Sequence, residues 1–284
     1  MKLSLLLVLL LVPALMACQP RSGPQYPDTR KGDVVDDYFG TKVPDPYRWL
    51  EDDNSPETKA WVEAQNQVTF GFLEAISERN AIRERVKELW DHERYGLPSR
   101  EGPWTVFSRN DGLQNQSVVY RAQGLDAAPE VLLDPNTLSE DGTVALADQG
   151  KAFTDDGRYM AWAAASGGSD WRTWRVRDVA TGQDLPDVVE WSKFSAAAWK
   201  KDGSGFYYSR YAEPEEGDAL KAVNKNQKVF FHRVGTAQAE DELVYERPDH
   251  PDWGLGAAVT DDGSTARSSL GATSASESGG SRRT

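Results

Sequence analysis

Only one cysteine, Cys18, stands in 284 residues, so no disulfide can form within the chain. Histidine is nearly as scarce, with His92, His232 and His250. No His/Cys pair has metal-ligand spacing, and single Asp-Gly turns do not make a calcium loop, so no metal is expected. A glycine-rich phosphate loop is missing too, and no cofactor is expected. Cations are outnumbered: 32 Lys and Arg face 45 Asp and Glu, a net charge of −13. That balance argues against nucleic acid as a partner, and plain solubility is the simpler reading of it. The turn that carries an acyl-transfer serine, Gly-x-Ser-x-Gly, does not occur. Its nearest approximations are Gly167-Gly168-Ser169-Asp170-Trp171 and Gly203-Ser204-Gly205, where small residues serve turn geometry. No apolar run is long enough to be read as a membrane span.

The longest such run, Leu3 to Val12, follows Lys2 and precedes Pro13-Ala14-Leu15-Met16-Ala17. A run this short behind a cation reads as an export signal over residues 1–17. Leu15-Met16-Ala17-Cys18 looks like a bacterial lipobox, in which the cysteine is acylated and becomes the first mature residue. An ordinary cleaved leader is the alternative. On the first reading, residues 18–26 are a tether, with Pro20 and Pro24 in it. The protein is then anchored by lipid to a bacterial membrane, facing the periplasm, and Gln19 points to the outer membrane.

What is present is rich in aromatics, with 10 Trp and 39% hydrophobic residues, enough for a sizeable core. Asp36 to Asp52 packs Tyr38, Phe39, Tyr47 and Trp49 among carboxylates, with Pro44 and Pro46 on either side of Asp45. Two prolines so placed exclude a regular helix or a central strand. A stiff extended strap with docking aromatics is expected. Asn54-Ser55-Pro56-Glu57 then opens a helix, continued by Trp61, Gln65, Val68, Phe72 and Ile76. A second helix starts near Asn80, repeats at Ile82, Val86 and Leu89, and ends around Tyr95 to Pro98.

From residue 99 the period changes. Trp104–Phe107, Ser117–Tyr120, Tyr159–Trp162, Thr173–Val176, Phe206–Tyr208 and Val229–Phe231 read as strands. One turn recurs, at Gly112, Gly157, Gly203 and Gly263, with intervals of 45, 46 and 60 residues. A period near 45 suits a four-stranded propeller blade; an unrelated β-sandwich is the alternative. Residues 264–284 hold no aromatic, Val or Ile, and a disordered tail is expected there. The Asp261-Asp262-Gly263 turn promises a strand that this composition does not supply. An out-of-frame C-terminus and a natural disordered tail are both compatible with that.

The strap from Asp36 to Asp52 resembles the N-terminal signature of the prolyl oligopeptidase family, serine peptidases that cut short peptides after proline. Leu113-Gln114-Asn115-Gln116-Ser117 and Leu132-Leu133-Asp134-Pro135-Asn136 are similar to the family's first blade. Ser166 to Trp171 and Lys193-Phe194-Ser195 look like the second, and Gln227 to His232 with Gly235-Thr236 like the third. Glu240 to Val244 and Pro248 to Trp253 continue the match, which runs from about residue 25 to 263. The resemblance implies a mainly β chain with an N-terminal α segment. Residues 27–98 are then the strap and helices that pack on the peptidase domain. Residues 99–263 are a partial propeller of about three to four blades.

In the family the catalytic serine, aspartate and histidine lie in a hydrolase domain C-terminal to the propeller. None of them transfers onto a residue here. The resemblance implies an N-terminal fragment of a serine endopeptidase whose propeller admits only short proline-containing peptides, the fragment itself being inert. Two alternatives stand beside it. One is a lipid-anchored propeller used for binding or scaffolding. The other is a peptidase completed by a separately encoded hydrolase chain.

Overall fold

The computed structural model describes residues 23–124, 127–215, 219, 223–263 and the backbone of 266–272. The leader 1–17 and Cys18 lie outside the described residues. The chain divides into two compact units, one up to Glu88 and one from Leu89. The second unit thus begins before residue 99, where the sequence placed the boundary.

In the first unit, the expected extended strap is a hairpin. Strand β1 (Val35–Tyr38) pairs antiparallel with β2 (Thr41–Pro44), Tyr38 opposite Thr41. Phe39 and Gly40 both take positive φ, 54° and 91°, which is what a tight two-residue reversal needs. Asp37 Oδ1 accepts from the Gly40 N–H at 2.6 Å and holds the turn. Pro44 has no N–H to donate, yet the pairing runs on past it, with Asp45 N donating to Val34 O at 2.9 Å and Gly32 N to Pro46 O at 2.8 Å. Arg48 then ties the stretch together, paired with Asp36 and, at 2.6 Å, with Asp45. Of the four aromatics Trp49 is held, its Nε1 donating to Arg30 O at 2.9 Å. Tyr38, Phe39 and Tyr47 are exposed.

Helix α1 spans Pro56–Glu74 and starts as read: Ser55 is the N-cap, its hydroxyl accepting from Thr58 N at 3.1 Å. It stops before Ile76. Helix α2 spans Arg79–Trp90 and stops short of the expected Tyr95–Pro98 end. The cause is competition from a sheet. Arg94 donates to Trp90 O and Asn110 Oδ1, and Gly96 N donates to Ser108 O, so residues 94–96 join the neighbouring strand.

The second unit repeats one antiparallel sheet. The first contains β3 (Arg94–Tyr95) and β4 (Ser99–Glu101), both pairing with β5 (Trp104–Asn110), then β6 (Val118–Gln123) and β7 (Glu130–Leu133). The second is β8 (Val144–Phe153), β9 (Tyr159–Ser166), β10 (Arg172–Asp178) and β11 (Asp184–Ser192). The third is β12 (Ala198–Trp199), β13 (Gly205–Arg210), β14 (Lys228–Arg233) and β15 (Glu242–Tyr245). A fourth begins with β16 (Trp253–Val259) and β17 (Ala266–Ala272). These are three blades and the start of a fourth.

Strand β17 corrects the expectation of a structureless tail over 266–272. It pairs with β16 from Trp253 opposite Ala272 to Val259 opposite Ala266. A ladder is made by backbone N–H and C=O groups, so a strand edge like that of β16 can recruit a segment with no β-branched residue. The recurring turn also needs a correction. Gly157, Gly203 and Gly263 join the first two strands of blades two, three and four. Gly112 joins β5 to β6, a different hairpin; the equivalent turn of the first blade holds Gly102. The interval of 45 residues therefore compared unlike positions.

The core lies between the sheets. Strand β9 shows why: successive side chains point to opposite faces. Met160 and Trp162 join Val106, Val119, Leu132 and Leu133 of the first blade. Ala161 and Ala163 turn to Trp174, Val189, Trp199, Phe206 and Tyr208 between the second and third. The indoles are satisfied as they are buried, Trp174 Nε1 by Ser192 Oγ at 3.1 Å and Trp199 Nε1 by Ala152 O at 2.9 Å.

Candidate functional site

Two polar features break the apolar joint between the second and third blades. The first is buried. Strand β14 places the His232 ring between two carboxylates, with Nε2 at 3.0 Å from Asp187 Oδ1 and Nδ1 at 2.7 Å from Asp241 Oδ1. All three side chains are fully buried. Tyr208 donates its hydroxyl to Asp241 Oδ2 at 2.6 Å, and Gly235 N donates to Asp187 Oδ1 at 2.6 Å. Asp187 Oδ2 has no partner among the described residues. Burial pulls the imidazole pKa down, but hydrogen bonds to Asp187 and Asp241 outweigh it and raise His232 to about 9. Burial likewise opposes ionisation of Asp187, and the His232 contact and Gly235 N–H outweigh it, so its pKa lies below the usual carboxylate range. Burial and the adjacent Asp241 push Tyr208 up.

His232 is therefore neither a surface nor a capping histidine. Both ring nitrogens face carboxylates, so neither is available to take a proton from a hydroxyl. Its partners are Asp187, 45 positions earlier, and Asp241, nine later. The sequence hint was its place directly after Phe230-Phe231, inside an apolar strand.

The second feature is a rim of aromatics and cations where the connections β9–β10, β11–β12 and β13–β14 meet. Trp171 stands edge-on to Trp191 at 5.6 Å and to Tyr211 at 6.3 Å between ring centroids. Lys193 Nζ lies 3.9 Å from the Trp171 ring centre and 3.2 Å from Asn224 Oδ1. Burial lowers the Lys193 ammonium pKa, and Asp170 offsets part of that. Gln227 ties the loops together, donating to Lys193 O at 2.8 Å and accepting from Leu255 N at 2.6 Å. Three non-glycine residues here are left-handed: Trp191 (φ 60°), Phe194 (51°) and Asn226 (58°). Such conformers cost roughly 1–3 kcal/mol each and gather where a surface is shaped for use. Phe194 is half exposed despite its size.

The remaining candidates stay apart. Ser169 Oγ accepts from Trp171 N at 3.1 Å inside its own turn. Ser204 Oγ donates to Asp202 Oδ1 at 2.6 Å in another. His92 Nδ1 stands 3.2 Å from Leu89 O at the end of α2, and His250 stacks on Trp253 at 3.8 Å between ring centres. Among the described residues no group of three or more His, Cys, Asp and Glu is placed to hold a metal ion. Nor is any helix among them long and apolar enough to cross a membrane. The chemistry on offer at the rim is recognition: flat apolar faces, a shielded ammonium and rigid backbone.

The family model described as "Prolyl oligopeptidase, N-terminal beta-propeller domain" matches residues 26–277. A prolyl endopeptidase of Elizabethkingia meningoseptica is 42% identical over 240 residues, 84% of this chain and 33% of that one. A dual function macrocyclase-peptidase of Amanita bisporigera is 36% identical over 265 residues, again 84% of this chain and 36% of the other. Among solved structures, prolyl oligopeptidase B from Galerina marginata bound to a 25mer macrocyclization substrate superposes with a TM-score of 0.75 at 31% identity. That superposition covers 87% of this chain and 37% of the other. The chain thus spans about a third of the length of the curated relatives it matches. With blades, core and match in agreement, this chain belongs to the prolyl oligopeptidase family, as its N-terminal β-propeller region.

Proposed function

We propose that this propeller region serves a post-proline serine endopeptidase as its access-controlling half. In this reading it admits short proline-containing peptides to a hydrolase domain and carries no catalytic residue itself. The observation that supports it most is membership of the family combined with the engagement of Ser169, Ser204 and His232 in local structure. Exposed apolar residues support it further: Val62, Phe70 and Phe72 on α1, and Ile82, Val86, Leu89 and Trp90 on α2. They are the surface proposed to dock on the hydrolase domain, with Tyr38, Phe39 and Tyr47 of the hairpin. The rim of Trp171, Trp191, Phe194 and Tyr211 is the surface proposed to meet the peptide.

The test is direct. The purified 284-residue chain, mixed with a chromogenic peptide carrying proline before the leaving group, should release nothing above buffer. Turnover that persists after Ser169→Ala and Ser204→Ala would overturn the assignment.

The anchor is proposed on the same terms. Cys18 carries a lipid and holds the protein on a bacterial membrane on its periplasmic side. Expressed in a bacterium fed radiolabelled palmitate, the chain should take up label, and Cys18→Ser should abolish it. Equal labelling of the variant would refute the lipidation.

A further inference from the structure

Beside the rim, a pocket of about 480 Å³ opens between the ends of β13 and β14 and the segment after β15. Its floor is apolar, with Phe230, Tyr211 and Pro248. Among the described residues its walls carry four cations and one carboxylate, Glu246. Three of the cations are already neutralised. Lys228 Nζ meets Glu246 at 2.7 Å, Arg247 grips Asp249 through Nε at 2.8 Å and Nη2 at 2.7 Å, and Lys225 lies 3.7 Å from Asp252.

Arg210 is the exception. Among the described residues its guanidinium meets no carboxylate, and its Nε is buried with no hydrogen-bond partner. It lies over the Phe230 ring, whose centre is 4.2 Å from Cζ. A guanidinium with no carboxylate partner keeps its outer N–H donors for another acceptor. Stacking on Phe230 closes one face of the guanidinium and leaves its edge for in-plane partners. Nε itself is closed off by protein, so a ligand meets the guanidinium through its Nη1–Nη2 end, whose two N–H groups also match the two oxygens of a carboxylate.

We infer that Arg210 binds the C-terminal carboxylate of a short peptide, whose last side chain rests on Phe230 and Tyr211. The inference deepens the reading of the rim as a peptide surface and rests on it. Tyr211 belongs to both, so a peptide lying across Trp171 can reach the pocket. Inorganic phosphate fits less well, because the floor is apolar and the remaining cations are already paired.

The experiment is calorimetric titration of the intact 284-residue chain with N-acetyl-Ala-Pro-Phe as free acid and as C-terminal amide, with inorganic phosphate as the third ligand. The acid should bind at least tenfold more tightly than the amide, and phosphate more weakly than the acid. Arg210→Met should bring the acid to the level of the amide and leave amide binding unchanged. Arg210→Lys, which keeps the charge without the fork, should recover only part of the difference and guards against a misfolded first variant. If acid and amide bind equally, the carboxylate site is wrong while the peptide surface stands. If neither binds, both fail. Phosphate binding as tight as the acid, or full acid affinity in Arg210→Met, also overturns the inference.

Discussion

Replacing His232 by leucine should remove about 3–5 kcal/mol of stability, read from urea or thermal unfolding, because two buried carboxylates then face each other uncompensated. Neighbouring losses are not the same. Asp187 would keep the Gly235 N–H, and Asp241 would keep the Tyr208 hydroxyl. Neither contact replaces an imidazolium. Replacing all three, Asp187, His232 and Asp241, with leucine should be milder than His232→Leu alone, since a dry apolar filling buries no charge. A triple variant as unstable as the single one would mean that packing, and not charge, governs the joint.

The same residue sets a pH profile. Its pKa in the folded chain is raised to about 9 from the ordinary 6.5, so the stabilisation is complete below about pH 6.5 and is lost as pH rises through about 9. Asp187 works in the opposite direction. Its folded pKa is depressed from 3.8, so its contribution is present above that value and is lost as pH falls through the lower one. Between roughly pH 4 and 6.5 both contributions are whole. From pH 6.5 to 9.5 the loss should be about 3 kcal/mol, or several degrees of melting temperature for a unit of this size. The His232→Leu variant should show a flat profile over that alkaline range.

The blades were legible because their strands are. Trp104, Tyr159, Trp174, Phe206 and Phe231 sit where a half-buried pleat needs large residues, and all lie in strands. Turn glycines gave the repeat for blades two to four but misled at the first. There the equivalent turn is Glu101-Gly102-Pro103, with none of the Asp-Gly chemistry of the others. Strand β17 was invisible for another reason: its pairing is made by backbone, which composition does not report. The hairpin within Asp36 to Asp52 was hidden by its prolines, which exclude a central strand but not a two-stranded pairing. Sites were harder than elements. Trp171 and Phe194 stood in recognisable motifs, yet nothing local says that they share a rim with Tyr211 and Asn226. Asp187 and His232 are 45 positions apart, and only the stacking of neighbouring sheets brings them together.

That stacking has a second point of failure at the turns. Gly102 and Gly157, the first-hairpin glycines of the first two blades, pack against each other's turn. A Cβ on Gly157 would fall under 3.0 Å from the Glu101 carbonyl, and one on Gly102 under 3.0 Å from the Asp156 carbonyl and the Gly157 nitrogen. Backbone cannot swing aside as a side-chain tip can. Both glycines also have positive φ, 71° and 57°, where an alanine is strained by roughly 1–2 kcal/mol. Gly235 separates the two effects, since it has φ 83° and nothing within 4 Å of an added Cβ. Gly235→Ala should therefore cost about 1–2 kcal/mol, the conformational part alone. Gly157→Ala should cost about 3 kcal/mol or more, and the excess measures how firmly adjacent turns are pressed together. Equal losses at Gly157 and Gly235 in urea unfolding would mean that the two turns are free to part. The propeller's successive blades would then be held by their apolar cores alone.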